Sequence, residues 1–117
     1  MAVVAALAAL LASAVGAAGH AFLDRAEPRV GSKLKTAPTE VRLYFTQRLE
    51  PAFSSARITD AAGQQVDKGD SRVDRDEPTL LRVSVPPLPP GAYTVIWRVL
   101  SVDTHVTEGD FKFHVSP

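Results

Sequence analysis

Short runs in which apolar and polar residues alternate constrain the fold of this chain more than any other feature. Side chains two positions apart in a strand lie on one face of a sheet, so each run predicts a strand with one buried face. Sequences rich in Pro, Gly and Asp separate the runs, and the nine prolines disfavour long helices. The alternation is clearest at residues 41–45, 56–58, 81–85, 93–99 and 111–115. This spacing predicts an all-β fold, an antiparallel β-sandwich or barrel.

Two further features refine that prediction. Trp97 shares its parity with Val95 and Val99, which predicts that its side chain faces the core. Residues 71–78 are charged and lack apolar alternation, so we interpret them as an exposed connection. The sequence has no internal repeat and no linker, which predicts a single domain.

The first 19 residues differ from the rest of the chain. They contain no charged residue, consist mainly of Ala, Val and Leu, and end in the small residues Ala17, Ala18 and Gly19. This pattern predicts a secretory signal peptide over residues 1–19, cut after Gly19, and an exported domain over residues 20–117 in the periplasm. These 19 residues contain no Lys or Arg near Met1, and the absence of a positive N-terminal region is atypical of a signal peptide. The alternative is an uncleaved N-terminal anchor.

Composition excludes several classes of function. Lys plus Arg and Asp plus Glu both number 13, so no basic field indicates a nucleic-acid partner. The chain has no Cys, which excludes disulfides and thiolate metal sites. Its one Met is Met1, so residues 20–117 offer no sulfur ligand at all.

Asp103 and His105 form a candidate half-site for a metal ion. They follow the strand-like run 93–100 and are two positions apart. In extended backbone they would share a face, with Cα atoms about 6.5–7 Å apart, and one ion could be bonded by both at about 2 Å. The pattern is common, and the alternative interpretation is a solvated loop.

His20 is the candidate for the second half. Cleavage after Gly19 would make it the N-terminal residue, whose α-amine and imidazole Nδ1 can chelate one ion near neutral pH. The alternative is a frayed terminus. With Asp103 and His105, His20 would complete a set of three nitrogens and one carboxylate oxygen. That set suits Cu(II), accommodates Zn(II) less well, and lacks the soft ligands that Cu(I) prefers. We therefore expect one Cu(II) per chain.

Ordered motifs throughout residues 20–117 carry a family resemblance. They are HAFL at 20–23, AEP at 26–28, GS at 31–32, VRLYF at 41–45, GAYTVIWRV at 91–99, SVDTH at 101–105 and GDFKF at 109–113. Together they resemble the CopC/PcoC copper-resistance proteins. The resemblance implies an immunoglobulin-like Greek-key β-sandwich of about seven strands and a periplasmic Cu(II)-binding role. It also implies that His20, Asp103 and His105 are the copper ligands.

The chain departs from the family pattern in two places. Gln47 stands where members often carry a Glu that can lie near the copper. Residues 58–70 contain no Met and no His, whereas some members have a Met-rich loop for Cu(I) in this region. Gln47 could still offer a carbonyl oxygen or hold a water, but its neutral amide removes an anionic contribution to the copper site. The absence of Met and His from residues 58–70 favours the class that has only the Cu(II) site.

The leading hypothesis is a monomeric carrier or buffer, not an enzyme, that passes Cu(II) to a membrane copper importer in copper homeostasis or resistance. One alternative is a copper monooxygenase with an N-terminal His, but there the metal keeps open positions that an Asp ligand would fill. The other is a metal-free immunoglobulin-like interaction module. His114 lies on the polar parity of its strand, and we expect it to face solvent and bind no metal.

Overall fold

A computed structural model describes residues 20–117, and the predicted signal peptide at residues 1–19 lies outside the described residues. The described chain forms eight strands and one short 3-10 helix, Pro51–Phe53. The strands are β1 (Leu23–Glu27), β2 (Lys33–Leu34), β3 (Glu40–Phe45), β4 (Ser55–Thr59), β5 (Arg72–Val73), β6 (Leu80–Ser84), β7 (Gly91–Leu100) and β8 (Val106–Val115). Within this part of the chain, no helix is long and apolar enough to cross a membrane.

The strands form two four-stranded sheets, one in the order β1-β3-β6-β5 and the other in the order β2-β8-β7-β4. All pairs are antiparallel except β2 with β8. This arrangement confirms the predicted all-β sandwich. The five runs that alternate in sequence correspond to β3, β4, β6, β7 and β8, whereas β1, β2 and β5 have no alternating run in the sequence.

The core lies between the inner faces of the two sheets. In β3, Val41, Leu43 and Phe45 are buried while the residues between them are partly exposed, as period-two alternation requires. The second sheet contributes Val95 and Val99 of β7 and Phe113 of β8 to this core, and all three are fully buried. Trp97 is half-buried and packs against this core, which confirms the predicted direction of its side chain.

The prediction for residues 71–78 is wrong in part. Arg72 and Val73 form β5, which pairs with β6 through Arg72 opposite Arg82 and Val73 opposite Leu81. Val73 is buried, whereas the neighbouring residues are mostly exposed or partly exposed. A two-residue strand shows no alternation, so the long-range pairing that forms it leaves no local signal.

Candidate metal centre

The β7–β8 hairpin places the Asp103–His105 motif at one end of the sandwich. Leu100 pairs with Val106 at the close of the hairpin, and residues 101–105 form the connection. Thr104 has φ 68°, in the left-handed region. The connection is therefore a tight turn, and the sequence argument that Asp103 and His105 lie in extended backbone is wrong. The direction of each side chain depends on the turn.

Ser101 holds this turn together. Its main-chain N–H donates to the carbonyl of His105 at 3.0 Å, and its own carbonyl accepts the N–H of Thr104 at 2.9 Å. Its hydroxyl accepts the N–H of His105 at 3.3 Å. Ser101 is fully buried, so the turn is attached to the core through this residue.

The N-terminal segment reaches the same end of the sandwich through hydrogen bonds to two strand ends. The Thr107 hydroxyl on β8 donates to the carbonyl of Ala21 at 2.7 Å, and Ala21 is fully buried. The N–H of Phe22 donates to the Thr46 hydroxyl at 3.0 Å, and the N–H of Thr46 donates to the carbonyl of Phe22 at 2.9 Å. Because Thr107 is two residues after His105, these bonds place His20 beside the turn.

The structure brings His20 and His105 together. Their ring centroids are 4.7 Å apart, with an interplanar angle of 65°. Two imidazoles bonded at right angles to one ion, at about 2 Å each, would have centroids roughly 4.5 Å apart. The separation of the pair is therefore compatible with a shared metal ion, although directly packed rings have similar separations.

The Nδ1 atom of His105 is buried and has no hydrogen-bond partner. A buried polar atom without a partner is destabilising, and native structures contain few of them. A metal ion would be a chemically suitable partner, because an imidazole nitrogen without a proton is a good donor to Cu(II). Such an atom is not specific by itself, and it fits a copper ion here because the His20 ring lies beside it.

The Asp103 side chain does not join His20 and His105 in one group. Its side chain is exposed, and within residues 20–117 no three His, Asp, Glu or Cys side chains converge as a metal-binding group. In the full-length chain the nitrogen of His20 belongs to the peptide bond with Gly19. The predicted amine donor therefore exists only after cleavage. His20, Asp103 and His105 stay a predicted ligand set, of which the structure assembles two.

The prediction that His114 faces solvent is wrong in part: His114 lies on the outer face of β8, since Phe113 and Val115 are the buried residues, but it is not freely exposed. His114 is half-buried, and its Nδ1 is buried without a hydrogen-bond partner. Its N–H donates to the carbonyl of Ser32 at 2.8 Å, and it pairs with Lys33 of β2. Strand β2 lies beside this end of β8, which parity along a single strand does not reveal. His114 lies at the end of β8 opposite the His20–His105 pair.

Exposed apolar side chains surround the same end of the sandwich, and the sequence analysis missed them. Phe22 lies 5.7 Å from the His20 ring, and Val102 and Val106 flank the motif at 103–105. Phe53 is the last residue of the 3-10 helix, beside Ser54, which bonds to the end of β7. Of the five large apolar residues that are exposed in the described chain, only Val30 lies elsewhere.

Comparisons with known proteins identify the family to which this fold belongs. The CopC domain model matches residues 23–116. The crystal structure of CopC from Methylosinus trichosporium OB3b is 39% identical, with a TM-score of 0.75, and the match covers 84% of this chain and 95% of that one. Copper resistance protein C of Pseudomonas syringae pv. tomato is 32% identical over 114 residues, which cover 92% of this chain and 89% of that protein.

A third relative is much longer than this chain. Copper transport protein CutJ of Bacillus subtilis is 27% identical over 97 residues, which cover 82% of this chain but only 18% of CutJ. These matches confirm the sandwich fold and the predicted family. The chain belongs to the CopC family of copper-binding resistance proteins, which are not enzymes.

Proposed function

We propose that this protein is an exported Cu(II) carrier of the periplasm that binds one Cu(II) ion and passes it to a membrane importer. The ligands are the α-amine and imidazole of His20, the imidazole of His105 and the carboxylate of Asp103. The observation that carries the proposal is the pairing of two imidazoles, 4.7 Å apart, from positions 85 residues apart in the chain. The buried, unpartnered Nδ1 of His105 supports it further.

The choice of oxidation state follows from ligand chemistry. Imidazole, amine and carboxylate are borderline or hard ligands, which favour Cu(II) over Cu(I). Residues 20–117 contain neither Cys nor Met, so no soft ligand competes for the reduced ion. Reduction should therefore release the metal.

Delivery to a membrane protein is supported by two observations. The part of CutJ that matches this chain is joined to a much longer copper transport protein, so this type of domain can work beside a transporter. Direct transfer requires a recipient ligand to come within about 2 Å of the ion. Such a recipient would approach the end of the sandwich at which Phe22, Val102 and Val106 are exposed. Exposed apolar groups that cluster in this way are typical of docking surfaces.

The ligand assignment is tested by a Cu(II) competition titration on processed protein that begins at His20. His105→Ala removes a nitrogen, and we expect its affinity to fall at least about 100-fold, equivalent to roughly 2.7 kcal/mol. Asp103→Ala should lower affinity less, because it removes one oxygen and a charge. Both variants should stay folded, since neither side chain is in the hydrophobic core.

His114→Ala is the matched control for His105→Ala. Both histidines are half-buried, and both have a buried Nδ1 without a partner, but His114 is at the other end of the sandwich. Its replacement should leave Cu(II) affinity unchanged. If His114→Ala lost Cu(II) binding and His105→Ala kept it, our account would have assigned the copper to the wrong end of the sandwich.

A further inference from the structure

We propose that Ser101 is a positioning residue of the copper site, which fixes the His105 imidazole beside His20 before the metal arrives. The inference rests on the proposed function, because it concerns the same site. Ser101 does not itself bind the ion in this account. It acts on the metal only through the main chain of His105.

Three hydrogen bonds connect Ser101 to the two residues that precede β8. Its hydroxyl accepts the N–H of His105, and its N–H donates to the carbonyl of His105. Its carbonyl accepts the N–H of Thr104. Both main-chain polar groups of His105 are therefore bonded to one residue, which fixes the position and direction of its Cα–Cβ bond.

Ser101 is itself fixed in the core. It is fully buried and bridges to Leu49, whose exposure is 2%. The next residue, Val102, donates its N–H to the carbonyl of Arg48 at 3.0 Å. The turn is thus attached to the segment after β3 as well as to β7, and movement of Ser101 would disturb the core.

The conformation of Thr104 shows why such an anchor is needed. A β-branched residue at φ 68° is strained, and a conformation of this kind costs of order 1–3 kcal/mol. The surrounding bonds must offset that cost. Without the Ser101 hydroxyl, the N–H of His105 loses its acceptor and the turn can relax, which would move the imidazole away from His20.

The consequence for copper is a loss of preorganisation. A metal site tolerates only small errors in ligand position, and groups that orient a ligand through hydrogen bonds typically contribute 10–100-fold to metal affinity. We therefore expect Ser101→Ala to weaken Cu(II) binding about tenfold or more. The electron paramagnetic resonance spectrum of bound Cu(II) should also change, because the imidazole is held less firmly.

Ser54→Ala is the matched control. Ser54 is also a buried serine, 5% exposed, and its hydroxyl accepts the N–H of Leu100 at 3.1 Å and contacts the carbonyl of Leu100 at 3.4 Å. It therefore stabilises the same end of β7 without touching His105. Both variants should lower the melting temperature of the metal-free protein, but only Ser101→Ala should alter Cu(II) affinity and the resonance spectrum.

The results separate this inference from the proposed function. An unchanged affinity and spectrum in Ser101→Ala overturns the positioning role, and so does an equal loss of affinity in Ser54→Ala. Failure of His105→Ala to weaken binding instead overturns the proposed ligand set. If Ser101→Ala does not fold, amide hydrogen exchange on the unaltered metal-free protein decides. The His105 amide should exchange slowly, and fast exchange contradicts the anchor.

Discussion

At the scale of the residue, the Trp97 ring packs so closely on Gly109 that it leaves no room for a side chain at position 109. The two residues are paired across β7 and β8. A Cβ atom at position 109 would overlap the Trp97 ring, with Cζ2 as the nearest atom. Trp97 also contacts the rings of Phe45 and Phe111, whose centroids lie 6.1 and 6.2 Å away. Position 109 therefore requires glycine because the indole fills the space that a Cβ would occupy. The backbone φ of Gly109 is not the reason, since it lies outside the left-handed region.

We expect Gly109→Ala to destabilise the protein by about 1–3 kcal/mol, because the indole must move out of a packed position. Chemical denaturation followed by the fluorescence of Trp97, the single tryptophan, measures both the loss and the changed environment of the ring. In a Trp97→Leu background the same alanine should cost much less. An equal cost in both backgrounds would show that the indole is not the cause.

Two of the three predicted ligands lie side by side in the structure, and each was singled out by a signal in the sequence. His20 stood out because it follows a cleavage-like sequence, and His105 because it follows a strong strand pattern. The direction of the Asp103 side chain relative to that of His105 could not be deduced from the sequence. It depends on the left-handed conformation of Thr104, and a threonine gives no signal for that conformation.

At the scale of the element, a charged network joins the outer faces of β3, β5 and β6. Glu40 accepts hydrogen bonds from Arg42 at 2.7 Å, Arg82 at 3.0 Å and Arg72 at 3.4 Å. Arg82 also bonds to Asp74 at 2.8 Å, just after the two-residue strand β5. So short a strand contributes few ladder bonds, and the network supplies additional links to its neighbours.

The network lowers the pKa of its carboxyl groups. Burial of Glu40 is the largest single influence and raises its pKa, but hydrogen bonds and charge from Arg42 and Arg82 together outweigh it. The pKa of Asp74 is lowered mainly by its hydrogen bond to Arg82. A carboxyl whose folded-state pKa is lowered stabilises the fold above its unfolded-state pKa, about 4, and loses that contribution as pH falls through the folded-state value.

Glu40→Gln should therefore lower the free energy of unfolding by about 1 kcal/mol at pH 7, a modest effect because water screens the surrounding arginines. The difference from the unaltered protein should shrink as pH falls below about 4. Urea denaturation at pH 7 and pH 3 measures it. Glu108→Gln is the control, since Glu108 forms a single exposed pair with Arg98 and should change little. A deficit that stays constant with pH would exclude the ionic explanation.

The elements that sequence predicted and those that it missed differ in the physical origin of their stability. Strands β3, β6, β7 and β8 each bury one face, so their alternation is visible locally. Strands β2 and β5 have two residues each, and the five-residue β1 buries only Ala26, so these strands show no alternation and depend on hydrogen bonds from a neighbouring strand. Only a three-dimensional arrangement reveals such pairings.

At the scale of the whole molecule, the candidate site depends on the folded sandwich. His20 arrives through bonds to Thr46 and Thr107, and His105 arrives through the β7–β8 hairpin. An unfolded chain does not hold these groups together. Copper should therefore bind the folded state preferentially and stabilise it by an amount that rises with the logarithm of the copper concentration once the site is saturated.

The central claim is that the chain that begins at His20 binds one Cu(II) through its N-terminal residue. It is tested most directly by the native mass of the exported protein, measured with and without Cu(II). We expect a chain that starts at His20 and gains the mass of one copper ion. The same domain with a Met ahead of His20 should show little copper, because its amine belongs to an amide. Equal copper loading of the two forms, or cleavage elsewhere with full loading, would contradict the account.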